Sequence, residues 1–144
     1  MALKGRDTTK AVPYICEKER DNLENPTIFW IIPKNMKGNY TALERLRRAS
    51  ESRNNRNVIN PAKMFDADIE NLKTFCEKVE NYEFSEAYPD LSAKGIITVN
   101  IKQNAAEFLA DLDPTVFQEI EGASTNWERL AEGEKAYQEY LKQK

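Results

Sequence analysis

Carboxylates are the first residues in this sequence whose type and spacing could do chemistry. They cluster at Asp66, Asp68 and Glu70 and again at Asp111 and Asp113. Paired carboxylates can bind a divalent cation or act as general acid and base, but neither cluster has the spacing of an EF-hand loop. Each lies where a helix is predicted to begin or end, and carboxylates there cap the helix or complement its dipole. We therefore predict no metal site and no catalytic residue.

Histidine and cysteine usage narrows the possible chemistry further. The sequence has no histidine, which excludes Ser-His-Asp and Cys-His catalysis and most zinc sites. Cys16 and Cys76 are far apart and have no metal-ligand spacing, so both are predicted to be buried, unpaired thiols. The five glycines form no phosphate-binding loop. No cofactor is predicted.

An arginine-rich segment is the remaining candidate site. Residues 34–65 carry eight positive and two negative side chains, a net charge of +6, whereas residues 66–144 have a net charge of −9. Such a segment can be a solvated face with internal salt bridges, a docking surface for an acidic protein or a contact with a phosphate backbone. A protein partner is favoured over nucleic acid because the rest of the chain would repel a polyanion. The predicted partner-binding residues are Arg45, Arg47, Arg48, Arg53 and Arg56.

Two helices are predicted to position these residues. All of these arginines except Arg56 lie on a helix predicted over residues 40–53, whose apolar face is Ala42, Leu43, Leu46 and Ala49. Segment 54–61 follows it as a flexible or partner-ordered loop. A central helix is predicted from its N-cap Asp66 to Tyr82 because apolar residues recur there at intervals of three and four. They are Ile69, Leu72, Phe75, Cys76, Val79 and Tyr82.

Short strands and further helices complete the prediction. Pro13–Cys16 and Thr27–Ile32 are predicted to form a hairpin and Gly95–Val99 a third strand, because β-branched and aromatic residues dominate them. Three helices follow the third strand. The first of them is predicted to be capped by Asn100. The second is predicted to begin at Asp113 and Pro114 and to end at Gly122. The third is predicted to be capped by Ser124 or Thr125.

Together these elements predict a single domain of the α+β class. It is mainly helical, with a small N-terminal β-hairpin or sheet packed on the central helix. Residues 1–12 are predicted to be a flexible N-terminal arm and residues 13–144 the globular domain. The longest apolar run, Ile28–Ile32, is far shorter than the roughly 18 residues that span a bilayer, so no membrane association is predicted.

Several short phrases of the sequence also resemble a known class of protein. They are Pro13-Tyr14-Ile15, Glu19-Arg20, the run from Pro26 to Pro33, Val79-Glu80-Asn81-Tyr82, and the run from Leu109 to Pro114. In this order they resemble small accessory proteins of tailed bacteriophages, and are most similar to tail-assembly chaperones. The resemblance implies a non-enzymatic protein that acts with other phage structural or assembly proteins, in the host cytoplasm during assembly or in the virion.

Three functions are predicted, in order of preference. The first is protein–protein interaction in bacteriophage particle assembly, specifically of the tail. The second is a minor structural component of the virion at the head, neck or tail. The third is a nucleic-acid-binding regulator that uses the basic segment 34–63. An enzyme comes last, and homo-oligomerisation is one form that the protein–protein interaction can take.

Overall fold

The computed structural model describes residues 2–50 and 61–144. It is an α+β domain, mainly helical, with a four-stranded antiparallel sheet, so the predicted fold class is confirmed. In chain order the elements are β1 (Val12–Ile15), β2 (Ile28–Ile31), α1 (Met36–Ser50), α2 (Pro61–Phe75), β3 (Cys76–Glu83), α3 (Pro89–Ser92), β4 (Ile96–Asn100), α4 (Ile101–Asp111), α5 (Pro114–Thr125) and α6 (Trp127–Lys142).

The sheet has strand order β1-β2-β3-β4, and one of its faces carries the main core. Phe29 pairs with Tyr14 on one side and Val79 on the other, and Val79 pairs in turn with Val99. Because side chains alternate between faces along a strand, these four lie on one face. All four are buried together with residues of α2, α4 and α5.

The opposite face of β1 and β2 is covered by α6. Ile15 and Ile28 are buried there with Ala136 and Tyr140 of α6. The helix begins on the other side of β1, where Leu130 belongs to the main core. We conclude that α6 passes along β1 and closes this edge of the sheet.

A glycine allows α6 to lie close to β1. A Cβ atom at Gly133 would be 2.0 Å from Cδ2 of Tyr14, whose ring is fully buried. Any other residue at position 133 would have to displace that ring, since interiors are packed without spare volume. The close contact between α6 and the sheet therefore requires glycine at position 133, in the interior of α6.

The prediction of a central helix over residues 66–82 is wrong in its second half. α2 ends at Phe75, and residues 76–83 form β3. The register of β3 shifts between its pairs with Ile31 and Trp30, and again between Val79 and Tyr82. Each irregularity adds one residue, so that Cys76, Val79 and Tyr82 all contact the main core although they are three residues apart. Two bulges in a strand therefore reproduce the spacing of a helix.

The start of a helix depends on its capping residue, and two of the predicted caps are found in the structure. Asn100 caps α4 by accepting a hydrogen bond from the backbone N–H of Lys102, and Asp113 caps α5 in the same way through Thr115, as predicted. The predicted stop at Gly122 and cap at Ser124 or Thr125 are wrong, because α5 continues to Thr125 and Asn126 caps α6. Asp66 does not cap α2, which begins at Pro61.

The remaining predictions concern strands and segments between elements. β1, β2 and β4 confirm the three predicted strands to within a residue at each end. β1 begins at Val12, and the flexibility predicted for residues 1–12 stays a prediction. Of the predicted loop at 54–61, residues 54–60 lie outside the described residues, and Pro61 is the first residue of α2 instead of part of a loop.

Candidate partner-binding surface

Arg45 forms a hydrogen bond with a buried residue of the neighbouring helix. Its Nη1 donates a hydrogen bond to Oδ1 of Asn71 at 3.0 Å, and Nδ2 of Asn71 donates to the carbonyl of Ala42 at 3.3 Å. Asn71 is fully buried in α2, so the pair fastens α1 to α2 through a satisfied polar contact. Arg45 is therefore a structural residue of the α1–α2 contact.

Arg47 and Arg48 share one carboxylate on the outer face of α1. Nη2 of Arg47 lies 2.8 Å and Nε of Arg48 3.0 Å from Oε1 of Glu44. The two guanidinium groups hydrogen-bond Glu44 and lower its pKa to about 2. This is the internal salt bridge expected of a solvated face. The remaining predicted site residues, Arg53 and Arg56, lie outside the described residues.

α1 exposes three of its large apolar residues and buries two alanines, while Leu46 is half-buried. Met36, Tyr40 and Leu43 are 66%, 62% and 54% exposed, whereas Ala42 and Ala49 are buried. Spacings of four and three place the exposed three on one helical face, which we call the apolar stripe. The inward position predicted for Leu43 is therefore wrong. An ordinary surface helix has the opposite arrangement, with its larger apolar side chains against the core.

The apolar stripe is not among the predicted site residues because α1 begins earlier than predicted. Its first turn starts at Met36 and is capped by Asn35, whose Oδ1 accepts a hydrogen bond from the N–H of Gly38 at 2.8 Å. A helix predicted from Tyr40 leaves Met36 in a loop. The cap at Asn35 followed by apolar residues at 36, 40 and 43 was the available signal.

Cations lie along one side of the apolar stripe and at its C-terminal end. Lys37 follows Met36 and is exposed, and Arg47 continues the line of the stripe one turn after Leu43. Arg48 lies beside it with 76% of its side chain exposed. We call Met36, Lys37, Tyr40, Leu43, Arg47 and Arg48 the α1 surface. It combines large apolar side chains with three cations, two of which share Glu44, and this suits a partner that is apolar and acidic.

A second surface has the opposite charge. Two adjoining cavities of about 250 and 440 Å³ share Lys18, Asp113 and Val116. We call them together the acidic cavity. The first has apolar walls from Cys16, Phe29, Tyr82 and Leu112, and the carboxylates around the two are Glu17, Glu19, Asp113 and Glu119.

Hydrogen bonds hold the carboxylates of the acidic cavity in place. Oε2 of Glu119 accepts from the hydroxyl of Tyr14 at 2.6 Å and from the N–H of Glu17 at 3.0 Å. Oε2 of Glu19 accepts from the N–H of Thr27 at 3.0 Å, while burial raises the pKa of Glu19. These bonds form within and around the loop after β1, and they preorganise the cavity wall.

Two cations reduce but do not cancel the negative charge of the cavity. Nζ of Lys18 lies 3.7 Å from Asp113, and Nε of Arg129 lies 3.9 Å from Glu17. Burial and the neighbouring Glu119 raise the pKa of the Cys16 thiol, which therefore stays protonated and is a poor nucleophile. The chemistry that the cavity supports is binding of an apolar group that carries positive charge.

Asp111, Glu70 and Cys76 are sequence candidates that line neither surface. Asp111 accepts hydrogen bonds from the Tyr82 hydroxyl at 2.8 Å and the Ser85 N–H at 3.1 Å, and Glu70 pairs with Lys73. Cys76 is free and buried, as is Cys16, which confirms the predicted unpaired thiols. Within residues 2–50 and 61–144 no group of histidine, cysteine and acidic side chains is arranged to hold a metal ion.

Comparisons with known proteins do not indicate a function for this chain. No family model, curated protein or solved structure matches the chain. In the part of the chain that the structure describes, no helix is long and apolar enough to cross a bilayer. The α1 surface and the acidic cavity are the features from which function is inferred.

Proposed function

We propose that the protein is a non-enzymatic interaction protein of bacteriophage particle assembly, acting in assembly of the tail, and that it docks to its partner through the α1 surface. The phage context is the one that the sequence resemblance implies. The docking role is carried by one observation, the exposure of Met36, Tyr40 and Leu43 on a helix that buries only alanines among its apolar residues. Burying each such side chain at an interface would contribute roughly 1.5–3 kcal/mol.

A protein partner accounts for the α1 surface better than nucleic acid does. Contacts with nucleic acid are mainly charged and polar, so three large exposed apolar residues would gain little from a phosphate backbone. Glu44 also reduces the positive charge that Arg47 and Arg48 could offer to phosphates. An acidic protein surface uses both the stripe and the cations, with the cations steering the encounter.

Phage assembly provides the direct test. We expect phage that encode Tyr40→Ser with Leu43→Ser to produce particles without tails, visible by electron microscopy, because the variant loses the apolar stripe and keeps its fold. Gln103→Ser, an exposed change on α4, is the control and should leave assembly normal. Normal tails with the double variant would refute the docking role of α1.

Mass spectrometry of purified particles separates the two phage roles. An assembly protein should be absent from finished particles, whereas a minor virion component would be present in stoichiometric amount.

A DNA titration tests the third predicted function, that of a nucleic-acid-binding regulator. Tight DNA binding with a steep salt dependence, lost when Arg47 and Arg48 are both changed to Glu, would replace the protein-docking proposal with a nucleic-acid-binding role.

A further inference from the structure

We infer that the occupant of the α1 surface is the acidic cavity of a second copy of this chain, so that copies associate head to tail. This inference rests on the proposed docking role of α1 and names its partner. It follows from a match between two surfaces of the same molecule. One presents large apolar side chains among cations, and the other presents an apolar cavity among carboxylates.

The sizes of the two surfaces agree. Met36 to Leu43 extend over about 10 Å, or two helical turns. The first part of the acidic cavity has a volume of about 250 Å³ and includes Phe29, Leu112 and Val116 among its walls. A cavity of about 150 Å³ is enough to hold benzene. The ring of Tyr40 can therefore enter the cavity, with Met36 and Leu43 against its edges.

Charge favours this pairing over the symmetric alternatives. Lys37, Arg47 and Arg48 would face the carboxylates around the cavity, of which Glu17 and Asp113 have side chains 59% and 53% exposed. Two α1 surfaces facing each other would bring cations together, and two acidic cavities would bring carboxylates together. A two-fold dimer through either surface is therefore disfavoured.

Both surfaces can be used by one copy at the same time. They share no residue, since the α1 surface lies within residues 36–48 and the cavity is built from the loop after β1, β2, β3 and the α4–α5 junction. A contact between different surfaces of identical copies repeats from copy to copy. It builds a ring if the rotation closes and an open filament if it does not.

Two variants and their mixture test the inference. Tyr40→Ser with Leu43→Ser removes the apolar stripe and leaves the cavity intact. Glu17→Lys with Thr115→Lys places positive charge at the mouth of the cavity, at two exposed positions, and leaves α1 intact. Circular dichroism and thermal melting establish that both variants are folded, and Gln103→Ser again serves as the control.

Sedimentation velocity over a range of concentrations gives the readout. Wild type and the Gln103→Ser control should form oligomers larger than dimers that dissociate at high salt. Each double variant alone should be monomeric. Their equimolar mixture should form a dimer and nothing larger, because only one intact α1 surface and one intact cavity can meet. This last result distinguishes head-to-tail association from every symmetric arrangement.

Three results would overturn the inference: a wild-type chain that stays monomeric at low salt and high concentration, a dimer that persists in both variants, or a mixture that remains monomeric.

Different results would overturn the proposed function. If the chain self-associates as described but phage with Tyr40→Ser and Leu43→Ser build normal tails, the inference stands and the assembly role does not. If the chain is monomeric and that phage lacks tails, α1 docks to a different acidic protein.

Discussion

At the scale of single residues, neighbours decide what each arginine of α1 does. Arg45 reaches a buried asparagine and becomes part of the fold, whereas Arg48 reaches an exposed glutamate and stays at the surface. The two are one turn apart and identical in chemistry. Their burial and partners separate a cation that is part of the fold from one that stays at the surface.

Arg45→Ala should destabilise the protein more than Arg48→Ala. The first change leaves Oδ1 of the buried Asn71 without this donor, at a cost of about 1–3 kcal/mol in the free energy of unfolding. The second removes an exposed ion pair, which contributes little to stability in water. Urea denaturation of both variants measures the difference. Equal stabilities would contradict the structural role of Arg45.

Asp111 should make stability depend on pH. Burial raises the pKa of Asp111, but hydrogen bonds from Ser85 and Tyr82 outweigh that effect and lower it overall. These bonds therefore stabilise the fold fully above the unfolded pKa of about 3.9. The stabilisation disappears as the pH falls through the lower, folded-state pKa.

Asp111→Asn is the corresponding experiment. We expect a loss of about 1 kcal/mol at neutral pH, because an amide is a weaker acceptor for Tyr82 and Ser85 than a carboxylate. The difference from wild type should shrink as the medium becomes strongly acidic. Denaturation at several pH values measures it, with the exposed Asp21→Asn as control. A difference that is constant with pH would show that Asp111 does not titrate in this way.

At the scale of elements, the junction between α2 and β3 shows how a strand can have the periodicity of a helix. The chain leaves α2 at Phe75 and enters the sheet at once, and the bulges in β3 return every third residue to the core. Asn81 lies in the second bulge with φ of 59°. Its Nδ2 donates a hydrogen bond to the carbonyl of Pro26 at 3.0 Å, which joins the bulge to the start of β2.

Substitutions at Asn81 should separate backbone strain from hydrogen bonding. Asn81→Gly and Asn81→Ala both lose the hydrogen bond to Pro26, but only alanine is strained in the left-handed region. The alanine variant should therefore be the less stable by about 1 kcal/mol. Thermal or urea denaturation gives the order. An alanine variant as stable as the glycine variant would mean that the bulge does not need a positive φ.

At the scale of the whole molecule, the fold is stabilised by packing around one sheet. The main core lies between the sheet and α2, α4 and α5, and α6 covers the smaller cluster on the other face of β1 and β2. Both cysteines are buried within this packing and are free. Burial raises the pKa of the Cys76 thiol to about 12, so the thiol is neutral in the core.

Stability should therefore be independent of redox conditions and of metal ions. Neither a reducing agent nor a chelator should change the melting temperature, because Cys16 and Cys76 are unpaired and the described residues contain no arrangement that holds a metal. Differential scanning calorimetry with and without each reagent is sufficient. A decrease of several degrees would reveal a disulfide or a metal site.

Local chemistry explains why much of the fold could be predicted. The strands at β1, β2 and β4 are short runs of β-branched and aromatic residues, and the caps at Asn100 and Asp113 act on N–H groups two residues away. Such signals depend only on neighbouring residues. The sequence alone therefore predicts the fold class, the three strands, the capped starts of α4 and α5 and the buried thiols.

Contacts between distant residues decided the rest. Residues 76–82 have the period of a helix, and only pairing with β2 and β4 makes them a bulged strand, because sheet hydrogen bonds come from other parts of the chain. The sequence by itself placed positive charge on α1. Only the tertiary structure decided that Arg45 turns to the buried Asn71 while Met36, Tyr40 and Leu43 face outward, since the face of a helix that is buried depends on what packs against it.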